Sequence, residues 1–203
     1  MKLLRSQTGF TITEIMVVIV ISGFLMAVAA SGFAAFFSKF DEMNKRTELQ
    51  RDAFNCLQKI KNGIPIGSGA NLKFQGIATA DSVVFQGLSG HSSTGIILYP
   101  PASDIYHQND FIRIWWDGRY VRTTYLDGTL QPPAPLYLFP KPSRGNETEV
   151  TKLKFTKATP VGVPAKVILV ELEARVKLRK TFLHNKDVYF PVSYSTRMAL
   201  TMK

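Results

Sequence analysis

The hydrophobic rhythm of the chain changes twice. Between residues 10 and 37 the only charged side chain is Glu14, and 15–37 is a stretch of 23 residues without a charge. An apolar helix of that length crosses a hydrocarbon core of about 30 Å. Further on, Phe33, Phe36, Phe37, Phe40, Met43, Thr47, Phe54, Leu57 and Ile60 recur at spacings of three and four, with a break around Gln50. Lys39, Asp41, Glu42, Lys45, Arg46, Glu48, Arg51 and Asp52 lie between them. The helix is therefore expected to continue in amphipathic form, with an apolar stripe that covers something. Gly63 and Pro65 should stop it. No heptad is sustained, which argues against a coiled coil.

After Pro65 the period becomes two. Residues 81–87 read as a short strand, and 111–116 and 119–125 read as a hairpin around Asp117-Gly118. Asp127-Gly128 suggests a second turn, and Pro132, Pro133 and Pro135 break regular structure. Residues 150–155 resemble another strand. In 166–178, Ile168, Val170, Leu172, Ala174, Val176 and Leu178 alternate with Glu171, Glu173, Arg175 and Lys177. A final strand over 188–202 should pair with that segment. The expected fold is α+β, a long N-terminal helix packed on an antiparallel sheet. Its parts divide at 1–9, 10–37, 38–62 and 63–203.

Charge sharpens this division. The formal net charge is +10, and before residue 38 only Lys2, Arg5 and Glu14 are charged. The water-soluble body is therefore strongly basic, which favours anionic partners. No Arg/Lys run concentrates that charge, so a nucleic-acid or polyanion partner is the secondary expectation.

Few residues suggest chemistry. The single cysteine, Cys56, excludes an intrachain disulfide and a Cys-rich zinc site, and on a helix it reads as a small buried hydrophobe. His91, His107 and His184 are far apart and lack ligand-spaced partners. Gly67-Ser68-Gly69 lacks the Lys-Ser/Thr ending of a phosphate loop, and Ser89-Gly90-His91-Ser92-Ser93 lacks a nucleophile elbow. Asn146-Glu147-Thr148 matches a glycosylation sequon that is common by chance. Trp115 and Trp116 should point to opposite faces of their strand, one into the core and one outward. An outward Trp115 between Arg113 and Arg119 is a candidate ligand contact. Glu14 has no second acid, His or hydroxyl base within helical reach by this reading, so it does not read as catalytic. No enzyme activity, metal or cofactor is expected.

Lys2 and Arg5 before an apolar run also fit a secretory signal. The run is longer than the usual 7–15 residues, however, and no convincing small-x-small site closes it. It is expected to stay attached, with the body outside the cytoplasm.

Gly9-Phe10-Thr11-Ile12-Thr13-Glu14, after a short basic leader and before about twenty apolar residues, resembles the processing site of type IV pilins and pseudopilins. The resemblance implies that a membrane-embedded prepilin peptidase cuts after Gly9 and that Phe10 becomes the N-methylated first residue. Gly23 also fits, while Ser31-Gly32 stand where the family often has a proline. An ionised carboxylate deep in a membrane costs roughly 2.5–3.5 kcal/mol, so Glu14 either lies close enough to the cytoplasmic face to reach water, as expected in a single subunit, or has a partner. The resemblance supplies the α-amine of a neighbouring subunit's Phe10 and makes Glu14 an assembly determinant. Residues 49–60 look like the late helix of W-type minor pilins and J-type minor pseudopilins. A segment like 120–130 and the terminal strand 194–203 fit the same plan.

The chain lacks the cysteine pair of many major pilins and the acidic calcium loop of the major pseudopilin. It keeps the glutamate that the largest minor pseudopilin usually lacks. The implied function is that of a non-catalytic minor subunit which joins or primes a pilus or a type II secretion pseudopilus. The implied partners are prepilin peptidase, other pilin or pseudopilin subunits and an inner-membrane assembly platform. The implied location is the bacterial inner membrane, crossed once with the N-terminus cytoplasmic. The rival function is a tip pilin that binds DNA or another polyanion.

Overall fold

The computed structural model describes residues 11–65, 73–86, 92–101, 110–126, 135–144, 146–158, 166–180 and 187–200. The chain forms two compact units, Met1–Asn44 and Lys45–Lys203. Helix α1, Ile12–Asn62, contributes to both.

In the first unit α1 shows little burial among the described residues. Every described residue from Thr11 to Phe37 is exposed within the chain, and the helix is long and apolar enough to cross a membrane. Phe36 lies edge-on to Phe37 at 5.8 Å and stacks on Phe40 at 6.3 Å. Lys39 and Glu42 then pair at 2.9 Å, so the polar sequence begins with an i,i+3 ion pair.

In the second unit α1 buries Leu49, Ala53, Cys56, Leu57 and Ile60. Their spacing defines one helical face. It is not quite the stripe expected from the large apolar residues, because Phe54 is 51% exposed. Ala53 and Cys56 occupy the inward position, where small side chains let the helix approach its sheets closely. The helix ends as expected. Gly63 takes φ +87°, and its N–H donates to the Lys59 carbonyl at 2.8 Å. Any Cβ there would lie 1.9 Å from the Phe74 carbonyl oxygen.

The strand content divides into two main sheets, where the alternation suggested one. A two-residue ribbon, β1 (Ile64–Pro65) with β2 (Lys73–Phe74), follows the helix. The five-stranded sheet is built from β3 (Ser82–Phe85), β5 (Gly95–Tyr99), β6 (Phe111–Trp116), β7 (Val121–Leu126) and β8 (Leu136–Phe139), in the spatial order β3-β5-β6-β7-β8. The four-stranded sheet is ordered β11-β10-β9-β4, with β4 Ser92–Ser93, β9 Thr148–Lys157, β10 Val167–Lys180 and β11 Asp187–Ala199. All pairings are antiparallel. The chain passes from one sheet to the other at Thr94, between β4 and β5.

The inner faces of both sheets join α1 in one core. It includes Ile96, Leu98, Ile112, Ile114 and Val121 from one sheet and Val150, Leu153, Phe155, Ile168, Val170, Leu172 and Met198 from the other. The alternation in β10 is as expected: its even-numbered residues 168–176 are buried. Its charged face is matched across the strands. Lys152 meets Glu171 at 3.2 Å and Glu173 at 3.0 Å, Arg175 pairs with Glu149, and Lys177 pairs with Asp187 at 2.7 Å. Arg175 also lies over the Tyr189 ring at 4.4 Å. This sheet face is largely neutralised, so the basic excess must be sought elsewhere.

The β6–β7 turn is centred one residue later than Asp117-Gly118 suggests. Asp117 and Tyr120 are the flanking pair, joined by Asp117 N–H to Tyr120 O at 3.1 Å, and Gly118 takes φ +97°. The Asp117 carboxylate accepts from the Arg119 and Tyr120 amides at 3.0 and 2.7 Å, an Asx-type turn that draws Asp117 out of the loop centre. The hairpin tip also reaches the other sheet. Val150 N–H donates to Arg119 O at 3.0 Å, and the Trp116 indole donates to Val150 O at 3.2 Å.

Candidate functional site

Two groups of residues were singled out by the sequence: the start of the apolar helix, and the aromatic-basic cluster on β6. Gly9 and Phe10 lie outside the described residues. Glu14 is described and exposed. Its Oε2 accepts from the Thr11 backbone N–H and from the Thr11 hydroxyl, each at 2.9 Å. The Thr11 hydroxyl oxygen is also 3.3 Å from the Glu14 amide. This reciprocal arrangement is a capping box, with Thr11 as N-cap and Glu14 at the third helical position. It corrects the expectation that no hydroxyl comes within helical reach of Glu14. Thr11 was legible as the partner, since Thr-x-x-Glu before an apolar run is the sequence signature of that cap.

The second group sits on the outward face of the five-stranded sheet. Residues directly opposite in register share a face, which places Trp115 beside Arg122 on β7, and Arg122 beside Tyr137 on β8. The Arg113 guanidinium lies 4.8 Å from the Trp115 ring centre, and its Nε donates to Gln86 Oε1 at 3.0 Å. Arg122 lies over Tyr137 at 4.7 Å and Tyr120 at 5.8 Å, and its Nε is 2.5 Å from Asp117 Oδ2. Tyr120 and Tyr137 meet edge to face at 5.1 Å. Arg119 turns to the Tyr120 ring at 5.6 Å. The structure thus brings Arg113 to Trp115, places Arg119 on Tyr120 instead, and adds Arg122 and Tyr137. Those two follow only from the cross-strand register.

The two tryptophans do not divide cleanly into core and surface. Both are half-buried. Trp115 is covered on one side by Arg113, while Trp116 packs on the core with its N–H aimed at the β9 edge.

His91, His107, His184 and Gly67-Ser68-Gly69 lie outside the described residues. Ser93 is buried; its hydroxyl donates to Gln86 O and accepts from the Gly95 amide at 3.1 Å, holding the step between the sheets. The Cys56 thiol is buried, and burial pushes it up to about 12, with Lys59 opposing the shift. Among the described residues no group of three His, Cys, Asp or Glu side chains is placed to hold a metal ion.

The family model for the prokaryotic N-terminal methylation motif matches residues 4–30. It spans Gly9, Phe10 and Glu14 and supports a type IV pilin-like protein anchored in a membrane by its N-terminal helix. No curated protein and no solved structure matches the chain.

Proposed function

We propose that this chain is a minor type IV pilin or pseudopilin. In this reading it is a non-catalytic subunit, cut by prepilin peptidase between Gly9 and Phe10 and N-methylated at Phe10. It then joins a pilus or type II secretion pseudopilus, or primes its assembly. The single observation behind this reading is the methylation motif laid on a helix whose described residues from Thr11 to Phe37 are all exposed within the chain. An apolar surface of that kind needs lipid or other apolar helices around it. Glu14 at its cytoplasmic end meets the amine of an adjacent subunit, because a charge leaving water is tolerated when paired. The basic leader supports a body outside the cytoplasm.

Intact mass and N-terminal peptide mapping of the membrane-extracted protein from its native host test this. A chain beginning at N-methylated Phe10 is expected. A chain that still begins at Met1 in cells with active peptidase would remove the reading.

The cluster of Trp115, Arg113, Arg122 and Tyr137 favours a second role, polyanion or DNA contact, compatible with the first. Arginines over aromatic rings on one sheet face suit stacked bases and phosphates. A steep fall of single-stranded DNA affinity with salt, reduced by Arg122→Ala, is the expected signature.

A further inference from the structure

An open groove of about 650 Å³ runs along the last turns of α1 in the second unit. One wall is a polar helical stripe, Arg51, Asp52, Asn55, Gln58, Lys59 and Asn62. The other is formed by Leu138 and Phe139 of β8 and by Lys141 beyond it. Three cations therefore face one carboxylate, and that carboxylate, Asp52, already has Arg51 at 3.7 Å. Lys59 and Lys141 stand on opposite walls, both exposed, and neither forms an ion pair with any described residue. The nearby Arg144 is different: it pairs with Glu48 at 2.6 Å. Among the carboxamides, Asn62 donates to Gln58 Oε1 at 3.1 Å, which fixes both side chains on the helix wall.

The second wall has a further property. β8 ends the five-stranded sheet, and among the described residues no strand pairs with its other side. An edge strand offers backbone donors and acceptors to an incoming extended chain. Leu136 and Tyr137, 45% and 40% exposed, supply apolar contact beside it.

We infer that this groove receives an extended, acidic segment of a different protein, which lies along β8 and directs its carboxylates at Lys59 and Lys141. A second copy of this chain fits poorly, since it would bring the same excess of positive charge. Nucleic acid fits less well too. Asp52 opposes a phosphate backbone, and the one aromatic residue on the wall, Phe139, is buried and cannot stack with bases. The inference stands apart from the pilin reading and does not need it.

The test uses the full chain in non-ionic detergent and a labelled eight-residue peptide of alternating Glu and Val, which as a strand presents its acids on one face. Fluorescence anisotropy should show binding of this peptide and not of its Lys/Val counterpart. Lys59→Glu with Lys141→Glu should weaken it about tenfold or more, as loss and reversal of two partly exposed charge pairs implies. Hydrogen exchange of the 136–139 amides should slow when the peptide is added. Both lysines are exposed, so the double variant should fold, and an unlabelled Cys56 would confirm that it has.

Equal binding by the double variant would overturn the proposal, and so would binding that leaves the β8 amides unprotected. Displacement of the peptide by inorganic phosphate would reduce the groove to a simple anion site. Tighter binding of oligothymidylate, lost in the same double variant, would make it a nucleic-acid groove. Either result would also overturn the proposal.

Discussion

Cys56 gives this chain an internal reporter for the packing of α1. The thiol is 1% exposed, and Ile60, one turn later on the same face, is 0% exposed. Replacing Ile60 by alanine removes three buried carbons, about 2.4 kcal/mol at ~0.8 kcal/mol each. The cavity left between helix and sheets raises the loss to about 3 kcal/mol, within the usual range for such truncations. If Cys56 is alkylated only from an opened state, its rate follows the opening equilibrium. At about 1.4 kcal/mol per tenfold, Ile60→Ala should then speed labelling by roughly 150-fold. Phe54→Ala is the paired control. Its large side chain belongs to the stripe expected from the sequence, yet it is exposed, so the rate should change by no more than about two- to threefold. The assay is alkylation of the detergent-solubilised full chain at pH 8, followed by intact mass. Equal acceleration by the two substitutions, or a parent thiol that reacts as fast as a free one, would refute this account of the buried face.

Three further outcomes follow from the same structure. Gly63→Ala should destabilise the chain by at least about 1–2 kcal/mol in chemical unfolding, since alanine resists φ +87° and its Cβ would meet the Phe74 carbonyl. An unchanged midpoint would contradict that helix end. The buried thiol makes stability fall in alkali. Its pKa is raised from 9.0 to about 12, so below pH 9 both states keep the proton; above it the unfolded state loses the proton first. Relative to Cys56→Ala, the parent should lose up to about 1.4 kcal/mol per pH unit as pH rises from 9 towards 12. A difference that stays flat over that range would show an accessible thiol. At the helix start, Thr11→Ala should lose the cap but keep the carboxylate, whereas Glu14→Gln keeps an acceptor and loses the charge. Filament incorporation, followed in sheared and membrane fractions, should fail in Glu14→Gln and survive in Thr11→Ala; the reverse would make Glu14 only a cap.

Alternation and turn chemistry made much of the body legible. β6 and β10 stand close to where their patterns place them, because each has a buried face and a solvated face to write the period. β5 carries no such signal. Its Gly95-Ile96-Ile97-Leu98-Tyr99 run is apolar on both sides, and periodicity does not distinguish that from a helix fragment. β8 follows a proline-rich stretch and has only four residues. Alternation also assigns faces without assigning neighbours, so the division into two sheets was not readable. That division depends on Thr94, where the chain leaves the edge of β9 for the edge of β6. The same limit explains the aromatic cluster: Arg113 and Trp115 share a strand and could be read together, but Arg122 and Tyr137 join them only through register. On α1 the stripe was misjudged because large side chains were counted, whereas close packing selected Ala53 and Cys56.

In the proposed reading Glu14 meets two demands, of which the structure describes the first. In the single chain its carboxylate accepts from the Thr11 amide while the Thr11 hydroxyl oxygen faces the Glu14 amide, so the pair together satisfies donors that lipid would not. A cap of this sort is worth about 1 kcal/mol and needs only a polar acceptor. An ionised side chain costs more than that when moved away from the interface. The cap therefore accounts for an acceptor at this position and leaves the charge unexplained. A cationic partner arriving from another chain would account for it, and under the proposed processing the first residue of a neighbouring subunit would carry such a charge. On the proposed reading, the intramolecular bonds would hold the carboxylate at the helix start until that partner arrives. Exchange of Thr11 for an incoming amine would then keep the carboxylate hydrogen-bonded on both sides of assembly.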